Sequence, residues 1–251
     1  MGREFAQSHS RQVVLDAALR LQVVRARYCD EWLAGTPCPV EVQPFTSAHG
    51  GVRDWLRELC DGADELVAVT STRCQTLETF VPSHRFNREL IERGQRMTSF
   101  FDPSGGPDVL TEFIIAAEDM PYHLACGPIQ LKLLDGERVV LEGPVIDNTR
   151  SLMLISGPEV VNAAGQYLRA VRQSSIRASA LRDTEVQLSA RQQVIAEQLS
   201  EGCTDDQIAE RLDLSVRTVR YEVARLLEAL QVPTRFAAGV RYAHLKAGAT
   251  S

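Results

Sequence analysis

The chain has 251 residues, 27 Lys/Arg against 33 Asp/Glu for a net charge of −6, and 44% hydrophobic residues. That length buries one full-sized core and leaves room for a second, smaller domain, while the acidic balance excludes a partner held by bulk positive charge. No apolar run approaches the roughly 18 residues of a membrane span, and the opening Met1-Gly2-Arg3-Glu4-Phe5 lacks a secretion signal's apolar segment, so a soluble, cytoplasmic protein is expected.

In chain order, residues 10–33 read as one long amphipathic helix, the main part of an N-terminal segment 1–36. Val14, Leu21 and Tyr28 recur seven apart, and Val13, Ala17, Val24 and Trp32 broaden the stripe. The stripe serves either core packing or a dimer seam. Gly35-Thr36-Pro37-Cys38-Pro39 ends it. A second unit spans 40–173, with helices expected over 51–61, 83–93, 107–117 and 158–173. Strands are expected over 65–70, 96–101, 121–125, 129–134, 138–141 and 152–155, with Asp135-Gly136 as a hairpin turn. Strand and helix alternation followed by a hairpin implies an α/β domain with a mixed sheet. The Ser-, Ala- and Arg-rich stretch 174–184 reads as a linker.

The last unit, 185–251, reads as four short helices. Ser189 caps the first, whose Val194, Ile195 and Leu199 share a face, and Gly202 stops it. Thr204 caps the second, with Asp205 and Asp206 in its positive first turn and Ile208, Ala209 and Leu212 inward. Asp213-Leu214 makes a turn and Ser215 caps the third, which buries Val219, Val223, Leu226, Leu227 and Leu230. Arg217, Thr218, Arg220, Tyr221 and Arg225 are left outward, a set that suits a helix entering the major groove of double-stranded DNA. After Val232-Pro233, a fourth helix carries Phe236, Val240 and Ala243 as a stripe for self-association into a homodimer. From Asp183 onward there are eight Lys/Arg against ten Asp/Glu, a net of −2, so only the third helix is locally positive and nonspecific DNA affinity should be modest and salt-sensitive.

These residues resemble the C-terminal DNA-binding domain of LuxR-type regulators. Leu188-Ser189-Ala190-Arg191, Glu201-Gly202, Ile208-Ala209-Glu210-Arg211-Leu212 and the run from Ser215 through Thr218-Val219 to Val223 stand where that family has its pattern. The resemblance implies DNA contacts from Arg217, Thr218, Arg220 and Arg225 and a dimer contact in the fourth helix; Tyr221 of the outward set and the caps Thr204 and Ser215 complete the expected DNA-binding residues. Three departures stand out: Val194 replaces a common glutamate, Asp213 the usual turn glycine, and Tyr221-Glu222 a frequent Asn-His. Glu222 would face phosphates badly unless it accepts from a cytosine amino group.

The middle unit resembles the phospholipase-D-like effector domain of TrmB-type regulators, through Gly127-Pro128-Ile129-Gln130-Leu131-Lys132-Leu133-Leu134-Asp135-Gly136 preceded by two helix and strand units. Active phospholipase-D enzymes carry His-x-Lys-x4-Asp there. Here Pro128 stands for the His and Gln130 for the Lys, with Asp135 kept; the register with Gln130 for the His and Lys132 for the Lys also lacks the nucleophile. Without His, covalent phosphoryl catalysis has no attacking group, so the resemblance implies an α/β phospholipase-D-like fold that is not an enzyme.

Elsewhere, no Gly-rich phosphate loop, no Gly-x-Ser-x-Gly elbow and no His pair at metal spacing occurs, and the six cysteines form no Cys-x-x-Cys; no metal or cofactor is expected and reduced thiols are. Ser104-Gly105-Gly106-Pro107 reads as a connection. A receiver domain is disfavoured, because Asp54 falls at a helix start and the chain opens on a helix. An α/β domain without catalytic groups, joined to a DNA-binding unit, points to sensing. Ligands settle beyond the carboxyl ends of strands, which places a small polar or anionic effector among Thr70, Ser71, Thr72, Arg73, Phe101 and Asp102, with Arg73 as charge partner. The expected protein is a homodimeric regulator; the alternative is an interaction adaptor that has lost DNA binding.

Overall fold

The computed structural model describes residues 2–45, 51–181, 188–230 and 232–248. Helix α1 (Gly2–Leu33) begins eight residues ahead of the expected start and leads into strand β1 (Val40–Pro44), then α2 (Gly51–Asp61) and β2 (Glu65–Ser71). Helix α3 (Leu77–Glu92), β3 (Arg96–Asp102), α4 (Asp108–Ala116) and β4 (Tyr122–Leu124) complete the alternating half. The hairpin β5 (Leu131–Leu134) and β6 (Arg138–Glu142), then β7 (Ser151–Ser156), α5 (Pro158–Ser174), β8 (Ile176–Arg177) and a 3-10 turn (Ala178–Leu181) follow. Four helices close the chain: α6 (Ala190–Ser200), α7 (Asp205–Leu212), α8 (Val216–Ala229) and α9 (Arg235–Gly248).

Among the described residues, eight strands form one sheet in the order β1-β7-β6-β5-β2-β3-β4-β8. Only β2, β3 and β4 run parallel; all other neighbours are antiparallel. The sheet is therefore mixed, as expected. Besides the early start of α1 and a β5 that begins at Leu131 rather than at 129, three elements differ from the sequence reading. Helix α3 starts at Leu77 rather than after Pro82, because the Thr76 cap and the buried Phe80 fix its first turn ahead of the proline. Strand β1 pairs antiparallel with β7 at the sheet edge. At the other edge, the stretch read as a linker contributes β8, which pairs with β4 before the chain enters the 3-10 turn; residues 182–184 of that stretch lie outside the described residues.

Helices α1 and α5 cover one face of the sheet. Val14, Leu21 and Tyr28, the stripe seven apart, are buried with Val160, Ala164 and Tyr167 against Val69, Phe100, Val139, Met153 and Ile155. The stripe thus serves the core of its own chain, while Leu15, Leu19 and Val23 remain exposed on another flank of α1. Helices α2 and α3 cover the opposite face around Cys60, Leu66, Leu90, Leu134, Val140 and Leu154. A third cluster starts at Phe80, Phe101, Leu110, Ile114 and Tyr122 and runs without a break through Leu181 into Ile195, Leu199, Ile208, Val219, Leu226 and Ala238. The C-terminal helices and the α/β unit share one apolar body.

Candidate functional site

The C-terminal helices are set by local chemistry. Ser189 with Gln192 and Thr204 with Gln207 form reciprocal capping boxes, and the Ser215 hydroxyl accepts from the Thr218 N–H at 3.0 Å. Between α7 and α8, Asp213 takes φ 50, the left-handed region where glycine is usual, and its N–H closes α7. Helix α9 crosses α6 at the place where Gly239 lies, and a Cβ there would stand 2.9 Å from the Leu199 carbonyl oxygen.

Helix α8 presents Arg217, Arg220, Tyr221 and Arg225 to solvent, with Thr218 half-buried. Arg217, Tyr221 and Arg225 fall four apart on one stripe, and the Arg225 guanidinium lies 5.9 Å from the Tyr221 ring centre. Ser215 and Thr204 are exposed but act as helix caps. Arg220 lies 3.3 Å from Asp205, which also binds Arg235 at 2.6 Å. Glu222 does not join this exposed face: its side chain is 12% exposed and lies 3.7 Å from Arg191, so the expected conflict with phosphates does not arise from its position.

Helix α9 is oriented by both units. Phe236 and Val240, half-buried, and the exposed Ala243 line a cleft of about 250 Å³ opposite the 104–106 loop, Arg11 and Cys126. Cys126 is pushed up to about 11 by burial and by Asp102, so its thiol stays protonated at neutral pH. On another side of α9, Arg241 is 2% exposed and donates to the Ala180 carbonyl in the 3-10 turn at 2.9 Å. Among the described residues, its Nε and Nη2 have no hydrogen-bond partner.

The strand-end residues part company. Thr72 and Asp102 are buried and tie loops together: Thr72 Oγ1 donates to the Asp102 carbonyl, and the Asp102 carboxylate accepts from the Ser104 and Gly127 N–H groups. Gly106 packs directly on Thr72, where a Cβ would stand 1.9 Å from Oγ1. Arg73 is exposed beside Gly105, and Ser71 accepts from the Arg73 N–H. Thr70 and Phe101 alone of that set line a larger cavity, about 840 Å³, on the α2 and α3 face of the sheet. Pro128, Gln130 and Lys132 line the same cavity. Behind them, the buried Tyr167 hydroxyl bonds both the N–H and the carbonyl of Ile129 and holds the segment in place. Asp135 serves the hairpin: its carboxylate accepts from the Asp64 and Glu65 N–H groups and pairs with Arg138. Burial pushes that carboxyl up, but these bonds outweigh it and hold it below the usual carboxylate range.

Sequence reasoning missed Gln75, Arg25 and Arg53 as cavity-lining residues, since they come from separate elements that only the sheet order brings together. Gln130 and Lys132 were visible in the motif, but their placement beside β2 was not.

A sheet unit bearing capped helices with an exposed cationic stripe defines the class: a two-part protein whose C-terminal part is a helix-turn-helix. Residues 186–242 match the family model described as bacterial regulatory proteins, luxR family, so this C-terminal part is a LuxR-family domain. The comparison with curated proteins gave no match. Among solved structures the chain is similar to phosphatidylserine synthase of Haemophilus influenzae, at 14% identity over 57% of this chain and 41% of that one, with a TM-score of 0.42. It is similar also to Escherichia coli SdiA, at 18% identity over 44% and 52%, TM-score 0.24. A third is VqmA of Vibrio cholera, solved as a VqmA–ligand–DNA complex, at 14% identity over 55% and 60%, TM-score 0.23. The chain spans less than two thirds of the length of each of these three proteins. Among the described residues, no helix is long and apolar enough to cross a membrane.

Proposed function

We propose that the protein is a sequence-specific transcription regulator that binds promoter DNA as a homodimer through α8, under control of a small molecule bound by its α/β unit. The carrying observation is the solvent-facing stripe of Arg217, Tyr221 and Arg225 on a helix whose opposite side is locked into the core by Val219, Val223 and Leu226. Arginines so placed reach guanine edges or phosphates, and Thr204 and Ser215, at helix starts, offer N-terminal phosphate contacts. Self-association is assigned to Phe236, Val240 and Ala243 on α9, supported by their incomplete burial, and the exposed Leu15, Leu19 and Val23 stripe offers a further apolar surface. The α/β unit is taken as phospholipase-D-like without its chemistry: Pro128 and Gln130, the two positions at which the nucleophilic His could stand, both line the cavity and neither can attack.

Control requires an effector that binds two states unequally. Helix α9 is placed to transmit it, since it touches α6 on one side and α4 and the 3-10 turn on others. Selection of genomic fragments by the full chain tests the assignment, with the Arg217→Ala/Arg220→Ala variant as control. Specific fragments should be retained at low salt, with affinity falling steeply as salt rises, and the variant should lose at least about tenfold, on the order of 1–3 kcal/mol per base contact. Equal retention of specific fragments by both proteins removes Arg217 and Arg220 from the contact, and no specific retention by either sinks the DNA-reading role and favours the adaptor.

A further inference from the structure

We propose that the 840 Å³ cavity on the α2 and α3 face of the sheet binds a small organic monocarboxylate with an apolar body, its carboxylate on Lys132 and a hydroxyl or amide N–H on Gln75. This deepens the effector-sensing role above by naming the ligand class, and moves the contacts from the strand ends onto the sheet face.

The floor is built to be open. On this face Lys132 stands between Ala68 of β2 and Val140 of β6, and Ala68 is followed by Ser99 of β3. Two small side chains in adjacent strands leave space that a Leu or Phe would fill. The volume lies within the roughly 300–1,000 Å³ usual for small-molecule sites. Val52, Leu56, Phe86 and Leu152 supply apolar wall, and Phe45, 45% exposed, stands among the lining residues.

The charge is opposite to that of the chain. A protein of net charge −6 lines this cavity with five basic side chains and one acidic one, Glu142. Most of the cations are engaged: Arg57 with Glu89, Arg150 with Glu142, and Arg25 with the Glu142 and Gly143 carbonyls. The Lys132 ammonium forms no hydrogen bond or ion pair among the described residues, and the side chain is half-buried, where an ammonium gains most from an anionic partner. Gln75 lines the same cavity and its Oε1 is a buried acceptor without a donor, so a turn of the side-chain amide toward the cavity lets a ligand N–H or O–H satisfy it. Lys132 with side-chain amides matches a single carboxylate; three of the four lining guanidiniums that could fork a phosphate are already engaged, and the fourth, Arg53, is exposed on α2.

Calorimetric titration of the full chain with octanoate, 3-hydroxyoctanoate, octanol and octyl phosphate tests this. Both acids should bind at one site per chain, the hydroxy acid more tightly, and octanol at least tenfold more weakly. Lys132→Gln should weaken the acids at least tenfold, leave octanol unchanged and keep the melting temperature and DNA affinity; Lys132→Arg should restore acid binding. Ala68→Leu, which fills the floor, should abolish binding of all four. Octanol binding as well as octanoate, octyl phosphate binding more tightly than either acid, no acid binding at all, or an unaffected Lys132→Gln overturns the proposal. Failure here with intact DNA retention removes the ligand class alone; acid binding that never alters DNA affinity keeps the cavity site and removes its regulatory role.

Discussion

His84 and His123 sit half-buried where protonation is unwelcome. Asn87 Nδ2 donates to the Tyr122 hydroxyl at 3.2 Å, and that hydroxyl lies 3.1 Å from His84 Nδ1, an arrangement satisfied when Nδ1 is an unprotonated acceptor. Burial pushes Tyr122 up to about 12, so the phenol keeps its proton to donate. Burial, helped by Arg88, lowers the His84 pKa; burial also lowers that of His123, whose Nδ1 has no partner among the described residues. With folded values below the ordinary 6.5, the unfolded chain takes up protons first as pH falls. Stability from these residues is therefore complete above about pH 7 and declines as pH drops through the window below 6.5. Urea midpoints at pH 7.5 and 5.5 should show that decline, and the His84→Gln/His123→Gln variant should flatten it. A decline of the same size in the variant assigns it to other groups. None of this was legible in the chain alone, where five isolated histidines look alike until packing separates them.

At the level of single elements, the C-terminal helices were legible because each is fixed by contacts a few residues apart. Ser189, Thr204 and Ser215 cap the helices they were expected to cap. The outward set on α8 follows from the same spacing that buries Val219 and Val223. Elements set by distant partners were not: β1 alternates polar residues and ends on Pro44, and β8 is two residues long, so each exists only because β7 or β4 offers it an edge. The cavity escaped notice for the same reason, since Lys132, Ala68 and Gln75 meet only once β5 lies beside β2. Asp213 is the element where a local rule is broken. A left-handed Asp costs more than glycine in the same conformation, so Asp213→Gly should raise stability by about 0.5–1 kcal/mol, read from the denaturation midpoint. A loss instead would mean that the Asp213 side chain makes contacts worth more than the backbone relief.

Across the whole molecule, the cluster from Phe80 to Ala238 joins what would otherwise be two independently folding parts. Interfaces between domains of one chain are commonly polar and mobile; here Leu110, Ile114, Leu181, Ile195 and Ala238 belong to one apolar body. Unfolding should therefore be a single transition. Fluorescence of Trp32 and Trp55, both in the α/β part, should give the same midpoint as the far-ultraviolet helical signal, and separated midpoints would show that the two parts melt alone. Arg241 is the weak point of the seam: burial pushes its guanidinium pKa below the usual range, and one carbonyl is its hydrogen-bond partner among the described residues. Arg241→Met keeps an unbranched, shorter apolar stem and removes the buried charge, and should raise the common midpoint by the equivalent of about 1 kcal/mol. A lower midpoint would assign the guanidinium a stabilising contact at the seam.

The shared apolar body also governs how such a gene can be recombined. A cut between Leu181 and Leu188 falls at an obvious seam in the sequence, yet it would strip the greasy underside of α4 and the 3-10 turn from α9 and leave both fragments sticky in water. A chimera that borrows this DNA reader for another input module must carry a matching surface with it, or rebuild one.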